Sequence, residues 1–101
     1  MNIAEMQKEI WDNKVQKGFD RNPVPLEFCH LYGEVAEAFE AWEKHLDSLG
    51  EELADVIIYA LGIAEKSGID MQEELAKKIA KNAKRMYYED KFGVLCKVEG
   101  E

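Results

Sequence analysis

The sequence predicts an all-α fold, with four helices in a single domain spanning residues 1–101. Apolar residues recur at the three- and four-residue steps of a helix along most of the chain. Turn signals that contain glycine break this pattern at three points and divide it into four segments. Strand-like alternation is limited to residues 94–98. A chain of 101 residues is long enough for one modest hydrophobic core and too short for two.

The first segment predicts a helix over residues 3–17, which Gly18 ends. Its apolar stripe consists of Ile3, Met6, Ile10, Trp11 and Val15. The next residues form a loop, because Pro23 and Pro25 each disfavour helical geometry in the residue before them. We therefore expect residues 1–25 to form an N-terminal helix and a loop.

The second segment predicts a helix from about Leu26 to Asp47. Its expected core face consists of Leu31, Val35, Ala38, Phe39, Trp42 and Leu46. A neighbouring stripe consists of His30, Glu34, Glu37 and Ala41. The acidic residues of this helix therefore lie beside its buried face, at the edge of a helix interface.

The third segment predicts a helix over residues 50–66 that is apolar around most of its circumference. Ser48 or Asp47 is expected to cap it. Glu52 stands in the first turn, where the helix dipole favours negative charge, and this position gives the residue a purely structural explanation. A helix that is apolar nearly all round is buried on more than one side. In so short a chain, we expect a second subunit to cover the other side.

The fourth segment predicts a helix over residues 70–89, with Lys78, Asn82 and Arg85 recurring along one flank. Its apolar stripe consists of Met71, Leu75, Ile79, Ala83 and Met86. Three alternatives stay open for the tail, residues 90–101: a short strand, packing on a partner, or fraying. We expect residues 26–89 to carry the chemistry.

The charge and apolar patterns exclude several classes of function. A net charge of −8 disfavours binding to nucleic acid polymers or anionic membranes, which need a positive surface. The longest apolar run, Val56 to Ala64, is too short to span a bilayer. No basic and apolar leader opens the chain, so we expect a cytoplasmic location. Cys29 and Cys96 have no spacing typical of a metal site and are interpreted as ordinary thiols.

Charges of opposite sign are concentrated in different helices. Residues 34–55 hold eight acids against one lysine, and residues 77–91 hold six bases against two acids. Such blocks suit either two solvated helices or a site for a metal ion and phosphate. Both interpretations stay open on charge alone.

Two acidic pairs, Glu34 with Glu37 and Glu52 with Asp55, each have the spacing that places both members on one side of a helix. A turn between the pairs allows the two helices to double back, so that four carboxylates face one another. Two unit charges about 4 Å apart repel by roughly 4 kcal/mol near a protein surface. Converged carboxylates therefore require a divalent cation, and oxygen ligands suit Mg²⁺, with Mn²⁺ as a substitute.

These acidic pairs, the segment that follows the second pair, and the later Lys78, Asn82 and Arg85 together resemble the MazG-type all-α nucleoside triphosphate pyrophosphohydrolases. The resemblance covers about residues 28–85. It implies a four-helix MazG-like bundle that forms a homodimer or homotetramer through its central helices. It also implies Mg²⁺-dependent hydrolysis of a nucleoside triphosphate to the monophosphate and pyrophosphate, in cleaning of the nucleotide pool.

The resemblance also implies roles for particular residues. Glu34, Glu37, Glu52 and Asp55 would ligate the metal, and Lys78, Asn82 and Arg85 would contact the phosphate chain. Glu37 is our choice for the base that orients the attacking water, with simple ligation as its other role. Many family members have two adjacent acids at the start of the first motif, whereas here Gly33 precedes Glu34.

The sequence predicts the residues that contact the base less clearly. Trp11, Phe19, His30 and Trp42 are candidates for stacking on a nucleobase, although a tryptophan at helical spacing more often belongs to a core or interface. His30 lies one turn before Glu34 and would border the site. Two alternatives to the proposed activity stay open: phosphoribosyl-ATP pyrophosphohydrolase, and a non-catalytic helical module for dimerisation or regulation.

Overall fold

The computed structural model describes residues 1–98, and over that range the chain has the four-helix, all-α fold that the sequence predicts. Its elements are α1 (Ile3–Lys17), a 3-10 turn (Phe19–Arg21), α2 (Val24–Glu43), α3 (Leu49–Lys66), α4 (Met71–Lys84), β1 (Tyr87–Glu89) and β2 (Leu95–Lys97). None of the helices in this range combines the length and the apolar character needed to cross a bilayer. The last residues of the predicted tail, 99–101, lie outside the described residues.

Helix α1 has the bounds that the sequence predicts, because both of its ends are capped. The Asn2 side chain accepts a hydrogen bond from the backbone N–H of Glu5 at 2.8 Å. At the other end, Gly18 has a φ of 84°, and its N–H donates to the carbonyls of Lys14 and Val15. Glycine adopts this left-handed conformation without the steric penalty of a Cβ atom.

The buried amide of Gln7 ties α1 to the connection between α3 and α4. Its Nε2 donates to Oε2 of Glu65 and to the carbonyl of Ile69, each at 2.8 Å. Its Oε1 accepts a hydrogen bond from the backbone N–H of Met71 at 3.2 Å. Because a buried amide is stable only with such partners, these bonds fix where α1 lies along α3.

Helices α2 and α3 form the main helix pair of the chain. The buried apolar residues are Ala38, Ala41, Leu61 and Ala64. Small side chains on α2 let the two helices approach closely. This packing positions the two helices that carry the acidic residues.

Helix α2 begins and ends earlier than the predicted range of Leu26 to Asp47. At its start, Pro25 lies in the first turn, where backbone N–H groups have no partner within the helix in any case. At its end, His45 has a φ of 56°, and the N–H of Leu46 returns to the carbonyl of Ala41 at 2.9 Å. A left-handed residue of this kind closes a helix, and histidine adopts the conformation more readily than most residues.

Helix α4 also ends before its predicted limit at Glu89. Arg85 has extended backbone angles (φ −67°, ψ 142°), and Tyr87–Glu89 then pairs with Leu95–Lys97 as an antiparallel hairpin. Gly93, with a φ of 77°, forms part of the turn. Tyrosine favours strands, so the local sequence here overrides the helical spacing of Met86. A strand is thus the observed alternative for Leu95–Lys97 in the tail.

A single chain leaves many of its large apolar side chains exposed. The radius of gyration is 16.8 Å, whereas a compact domain of this length has about 13 Å. The predicted core face of α2 is therefore wrong within one chain, where Ala38 alone of that set is buried and Phe39 and Trp42 are 57% and 61% exposed. Ile57 on α3 and Ile79 on α4 are also largely exposed.

Candidate metal centre

The turn between α2 and α3 brings acidic side chains of both helices together. One carboxylate oxygen from each of Glu34, Glu37 and Glu52 lies within 4.8 Å of the others. We call these three residues the acidic group. Oxygen atoms at this spacing suit the coordination of a hard divalent cation. The structure therefore brings together three of the four acids that the sequence predicts as ligands.

Local sequence explains how the acidic group is positioned. Glu34 and Glu37 follow each other by one turn on α2, and Glu52 lies in the first turn of α3. The expected cap is wrong in one respect, because the Ser48 side chain makes no cap hydrogen bond. The carbonyl of Ser48 instead accepts the N–H of Glu52 at 2.9 Å, which fixes the backbone of that residue.

Burial and mutual repulsion act on these carboxyl groups. Burial raises the pKa of Glu34, and the charge of Glu37 raises it further. Burial and the charges of Glu37 and Asp55 likewise raise the pKa of Glu52. Within residues 1–98, Oε2 of Glu34 and Oε2 of Glu52 are buried without a hydrogen-bond partner. Such atoms are costly, and a cation bound here would supply both the missing partner and the missing charge.

The fourth predicted ligand, Asp55, lies beside the acidic group. Its carboxylate is not among the oxygens that lie within 4.8 Å of one another. Its charge nevertheless contributes to the raised pKa values of both Glu34 and Glu52. Asp55 therefore borders the acidic group from the side of α3.

A second polar cluster, absent from the sequence-based site, lies against the acidic group. The ammonium of Lys14 lies 4.6 Å from the centre of the Tyr59 ring and pairs with the Glu27 carboxylate at 3.4 Å. The amide of Asn22 donates to Glu27 at 2.9 Å. Burial, followed by the charges of Glu27 and Glu34, raises the pKa of Tyr59. The Tyr59 hydroxyl therefore stays protonated beside the acids.

Part of this cluster has a signal in the sequence. Glu27 precedes Glu34 by two turns and shares its stripe, and Tyr59 follows Asp55 by one turn on α3. Extending the stripe of Glu34 by two turns towards the start of α2, and that of Asp55 by one turn along α3, would have found these two residues. No such signal exists for Lys14, because its pairing depends on how α1 packs against the other helices.

The structure places two of the four stacking candidates, His30 and Trp11, differently. The His30 ring is exposed and meets the Tyr59 ring edge-on, with the ring centres 5.8 Å apart. His30 therefore contacts the polar cluster that contains Tyr59. Trp11 is half-buried on α1. The ring–ring contacts of residues 1–98 join His30 to Tyr59 and Phe39 to Trp42, and they do not include Trp11.

The predicted phosphate-binding residues lie at the end of α4. Arg85 lies just beyond the helix, and its Nη1 donates to Oδ1 of Asn82 at 3.1 Å. The charges of Arg85, Lys81 and Lys97 lower the pKa of Lys78. We call the four cations Lys78, Lys81, Arg85 and Lys97 the basic group. Helix α4, which carries Lys78 and Asn82, packs mainly against α1, whereas the acidic group lies on α2 and α3.

This fold and site define a class of protein. Its members are all-α chains in which carboxylates alone, next to a turn between two helices, form a centre suited to a divalent cation. The sequence profile of the MazG-like family matches residues 26–98, from α2 to the end of the described chain. The chain therefore belongs to the MazG-like family. A search of curated proteins gives no match.

One similar solved structure is a MazG-like pyrophosphohydrolase of cyanophage S-2L, bound to dGDP and three catalytic Mn²⁺ ions per active site. The two chains are 26% identical and superpose with a TM-score of 0.72. The match covers 97% of this chain and 98% of that one. The likeness thus extends beyond the family segment to α1.

Proposed function

We propose that this protein is a metal-dependent nucleotide pyrophosphohydrolase that converts a (deoxy)nucleoside triphosphate to the monophosphate and pyrophosphate and so cleans the nucleotide pool. The observation that carries this proposal is the acidic group, with its close oxygens and two buried atoms that have no partner among the described residues. Membership of the MazG-like family supports it, as does the likeness to a pyrophosphohydrolase that binds dGDP and Mn²⁺.

Glu34, Glu37 and Glu52 would hold Mg²⁺, or Mn²⁺ in its place, with Asp55 at the border of the site. When bound, the ion polarises phosphoryl oxygens and lowers the pKa of a coordinated water. The carboxylates and a triphosphate repel one another, so these side chains accept the substrate only together with a cation. Their fixed positions on two packed helices supply the orientation.

Glu37 is the residue that we propose as the base that orients the attacking water. It is exposed, whereas Glu34 and Glu52 are half-buried. One of its oxygens lies within 4.8 Å of an oxygen of each of them, and its charge contributes to the raised pKa of both. An exposed carboxylate held between two others can meet a water on the substrate side. Ligation of the metal is its alternative role.

We propose that Lys78, Asn82 and Arg85 bind the phosphate chain and offset the charge that develops on the pyrophosphate leaving group. Arginine can bind phosphate oxygens through two parallel hydrogen bonds. On the nucleoside side, His30 is the stacking candidate whose position beside Tyr59 fits best. Trp11 stays a prediction from the sequence.

The assembled enzyme is, in our proposal, a homodimer or homotetramer formed through α2 and α3. Phe39 and Trp42 stack with ring centres 6.1 Å apart on the surface of α2, and Ile57 is exposed on α3. Exposed apolar faces of this kind mark an interaction surface. A second copy would cover them.

The proposal is tested by measuring pyrophosphate release from a panel of nucleoside triphosphates and phosphoribosyl-ATP, with Mg²⁺, with Mn²⁺ and with a chelator. The variant is Glu37→Gln, which keeps the shape of the side chain and removes its charge. The matched control is Glu43→Gln, at the exposed end of the same helix. We expect metal-dependent release that Glu37→Gln reduces by at least roughly 100-fold, as loss of a general base does.

The same panel separates the alternatives. Release of pyrophosphate from phosphoribosyl-ATP alone would identify the protein as a phosphoribosyl-ATP pyrophosphohydrolase. Metal binding without hydrolysis is measured as an increase in thermal stability. The ion raises the free energy of unfolding by about 2.7 kcal/mol when its concentration is 100 times its dissociation constant. No release from any substrate, with no stabilisation by the metal, would leave a non-catalytic helical module as the better account.

A further inference from the structure

The hairpin that follows α4 is held in a defined geometry. The carboxylate of Asp90 accepts the N–H groups of Phe92 and Val94, at 2.8 and 2.9 Å, and fixes the turn. The N–H of Val98 donates to the carbonyl of Met86 at 2.9 Å, which extends the ladder by one residue towards α4. The strand β2 is therefore paired with the segment that directly follows α4.

This register places Lys97 beside Arg85. Lys97 is opposite Tyr87, and side chains two residues apart on a strand share one face. Because the backbone of Arg85 is extended, Arg85, Tyr87 and Lys97 lie on the same face, with Lys97 as the diagonal neighbour of Arg85. Glu89 also shares this face, but its carboxylate points towards the turn, where Oε1 lies 3.4 Å from the position of a Cβ built on Gly93.

The basic group is a concentration of unpaired positive charge. Lys77, on the same helix, pairs with Glu73 and Glu74 at 3.2 and 3.8 Å. By contrast, the ion pairs within residues 1–98 include no member of the basic group. Nε of Arg85 is buried, and no group of the described chain accepts its hydrogen bond. The charge of Arg85 is the main cause of the lowered pKa of Lys78, and the charges of Lys81 and Lys97 contribute less.

We propose that the C-terminal hairpin completes a polyphosphate-binding site by adding Lys97 to Lys78 and Arg85. This proposal rests on the proposed function for the identity of the natural ligand, which is the triphosphate chain of a nucleotide. In a chain with a net charge of −8, the four cations of the basic group have no ion-pair partner within residues 1–98, and their mutual repulsion favours the binding of an anion there. A condensed phosphate chain carries several negative charges along its length, so it can engage cations on both the helix and the hairpin.

The test uses inorganic tripolyphosphate with the full chain in a chelator, because this probe needs neither the metal nor the base. Binding is measured by calorimetry for wild type, Lys97→Gln and Lys91→Gln. Lys91 is the matched control, since it lies in the same hairpin and its ammonium lies over the Phe92 ring, 5.1 Å from its centre. We expect Lys97→Gln to weaken binding roughly tenfold, the effect of losing one charged hydrogen bond. Lys91→Gln should change it by less than about twofold.

Lys97→Arg should restore most of the affinity, and far-UV circular dichroism checks that each variant is folded. Equal weakening by the two glutamine substitutions, or no tripolyphosphate binding to wild type, would overturn the proposal. The result is separable from the proposed function. If the protein hydrolyses nucleotides and Lys97→Gln binds tripolyphosphate as tightly as wild type, the hairpin site alone is rejected. If tripolyphosphate binding depends on Lys97 but no nucleotide is hydrolysed, the proposed enzyme activity alone is rejected.

Discussion

Two carboxyl groups of the acidic group hold protons more tightly in the folded chain than an exposed glutamate does. Burial is the main cause for both Glu34 and Glu52, whose pKa values lie above the ordinary 4.5. The folded state therefore binds more protons than the unfolded state above that pH. It follows that their contribution to stability is present at low pH and is lost as the pH rises through the raised pKa values.

We therefore expect metal-free wild type to lose thermal stability relative to the double variant Glu34→Gln with Glu52→Gln as the pH rises from 4.5 towards neutrality. The difference between the two proteins removes the opposing effects of Glu40 and Asp90, whose pKa values are lowered. Melting curves in a chelator measure it. Saturating Mg²⁺ should reverse the trend for wild type, because the cation binds the ionised carboxylates. A difference that grows in favour of wild type with rising pH in the chelator would contradict this account.

Sequence reasoning at the residue scale succeeds where contacts are local. The spacing of Glu34 and Glu37 on one helix, and of Glu52 on the next, is enough to predict that they converge once the two helices double back. It fails where a contact depends on the packing of a third helix. The pairing of Lys14 with Glu27 joins α1 to α2, and no local pattern encodes which lysine of α1 faces inward.

At the scale of elements, the Lys14 side chain of α1 packs against α3 at Gly62. A Cβ atom built on Gly62 would lie 2.6 Å from Cε of Lys14. A lysine end usually moves aside easily, but this one is held by Glu27 and lies against the ring of Tyr59. Gly62 therefore lets α1 approach α3, and a larger side chain there would displace Lys14.

We expect Gly62→Ala to lower the free energy of unfolding by about 1–3 kcal/mol, the usual cost of overpacking a buried contact. The matched control is Gly50→Ala in the same helix, where nothing lies within 4 Å of the added Cβ. This control should gain up to about 1 kcal/mol, because alanine favours helices over glycine. Urea titration of both variants gives the comparison. If Gly62→Ala is as stabilising as Gly50→Ala, Lys14 is free to move and its contacts do not hold α1.

The ends of elements show why helical spacing alone overextends a helix. The spacing of Met86 with the stripe of α4 predicts a helix to residue 89, yet the chain leaves the helix at Arg85 because pairing with β2 satisfies its backbone instead. The end of α2 is similar. The residue with the left-handed conformation is His45 and not a glycine, so the sequence gives no clear signal for the end of the helix. The start of α1 and its end at Gly18 were predictable, because the cap residues are explicit in the sequence.

At the scale of the whole molecule, a single chain leaves much of its apolar surface exposed. Within residues 1–98, the buried apolar residues are three alanines and one leucine, and many large apolar side chains face outward on α2, α3 and α4. The sequence predicts this through the apolar character of α3, but it cannot separate a core face from an interface face. Both look alike in a pattern of hydrophobic spacing, because each removes apolar surface from water.

The stacked pair Phe39 and Trp42 gives the most direct test of self-association. In one chain these side chains are 57% and 61% exposed, and a charge placed between packed apolar faces would be costly. We therefore expect wild type to sediment as a dimer or tetramer and Trp42→Glu to dissociate it. Phe92→Glu is the control, since Phe92 is 78% exposed and lies in the hairpin turn, outside α2 and α3.

Analytical ultracentrifugation across a range of protein concentrations measures both variants against wild type. Because the unfolding of an associated protein depends on its concentration, the melting temperature of wild type should rise with concentration and that of Trp42→Glu should not. The acidic group lies on the same two helices as this surface, so dissociation should also weaken stabilisation by Mg²⁺. A wild type that stays monomeric at every concentration would show that α2 and α3 are stable with these faces in water, and the proposed assembly would then be wrong.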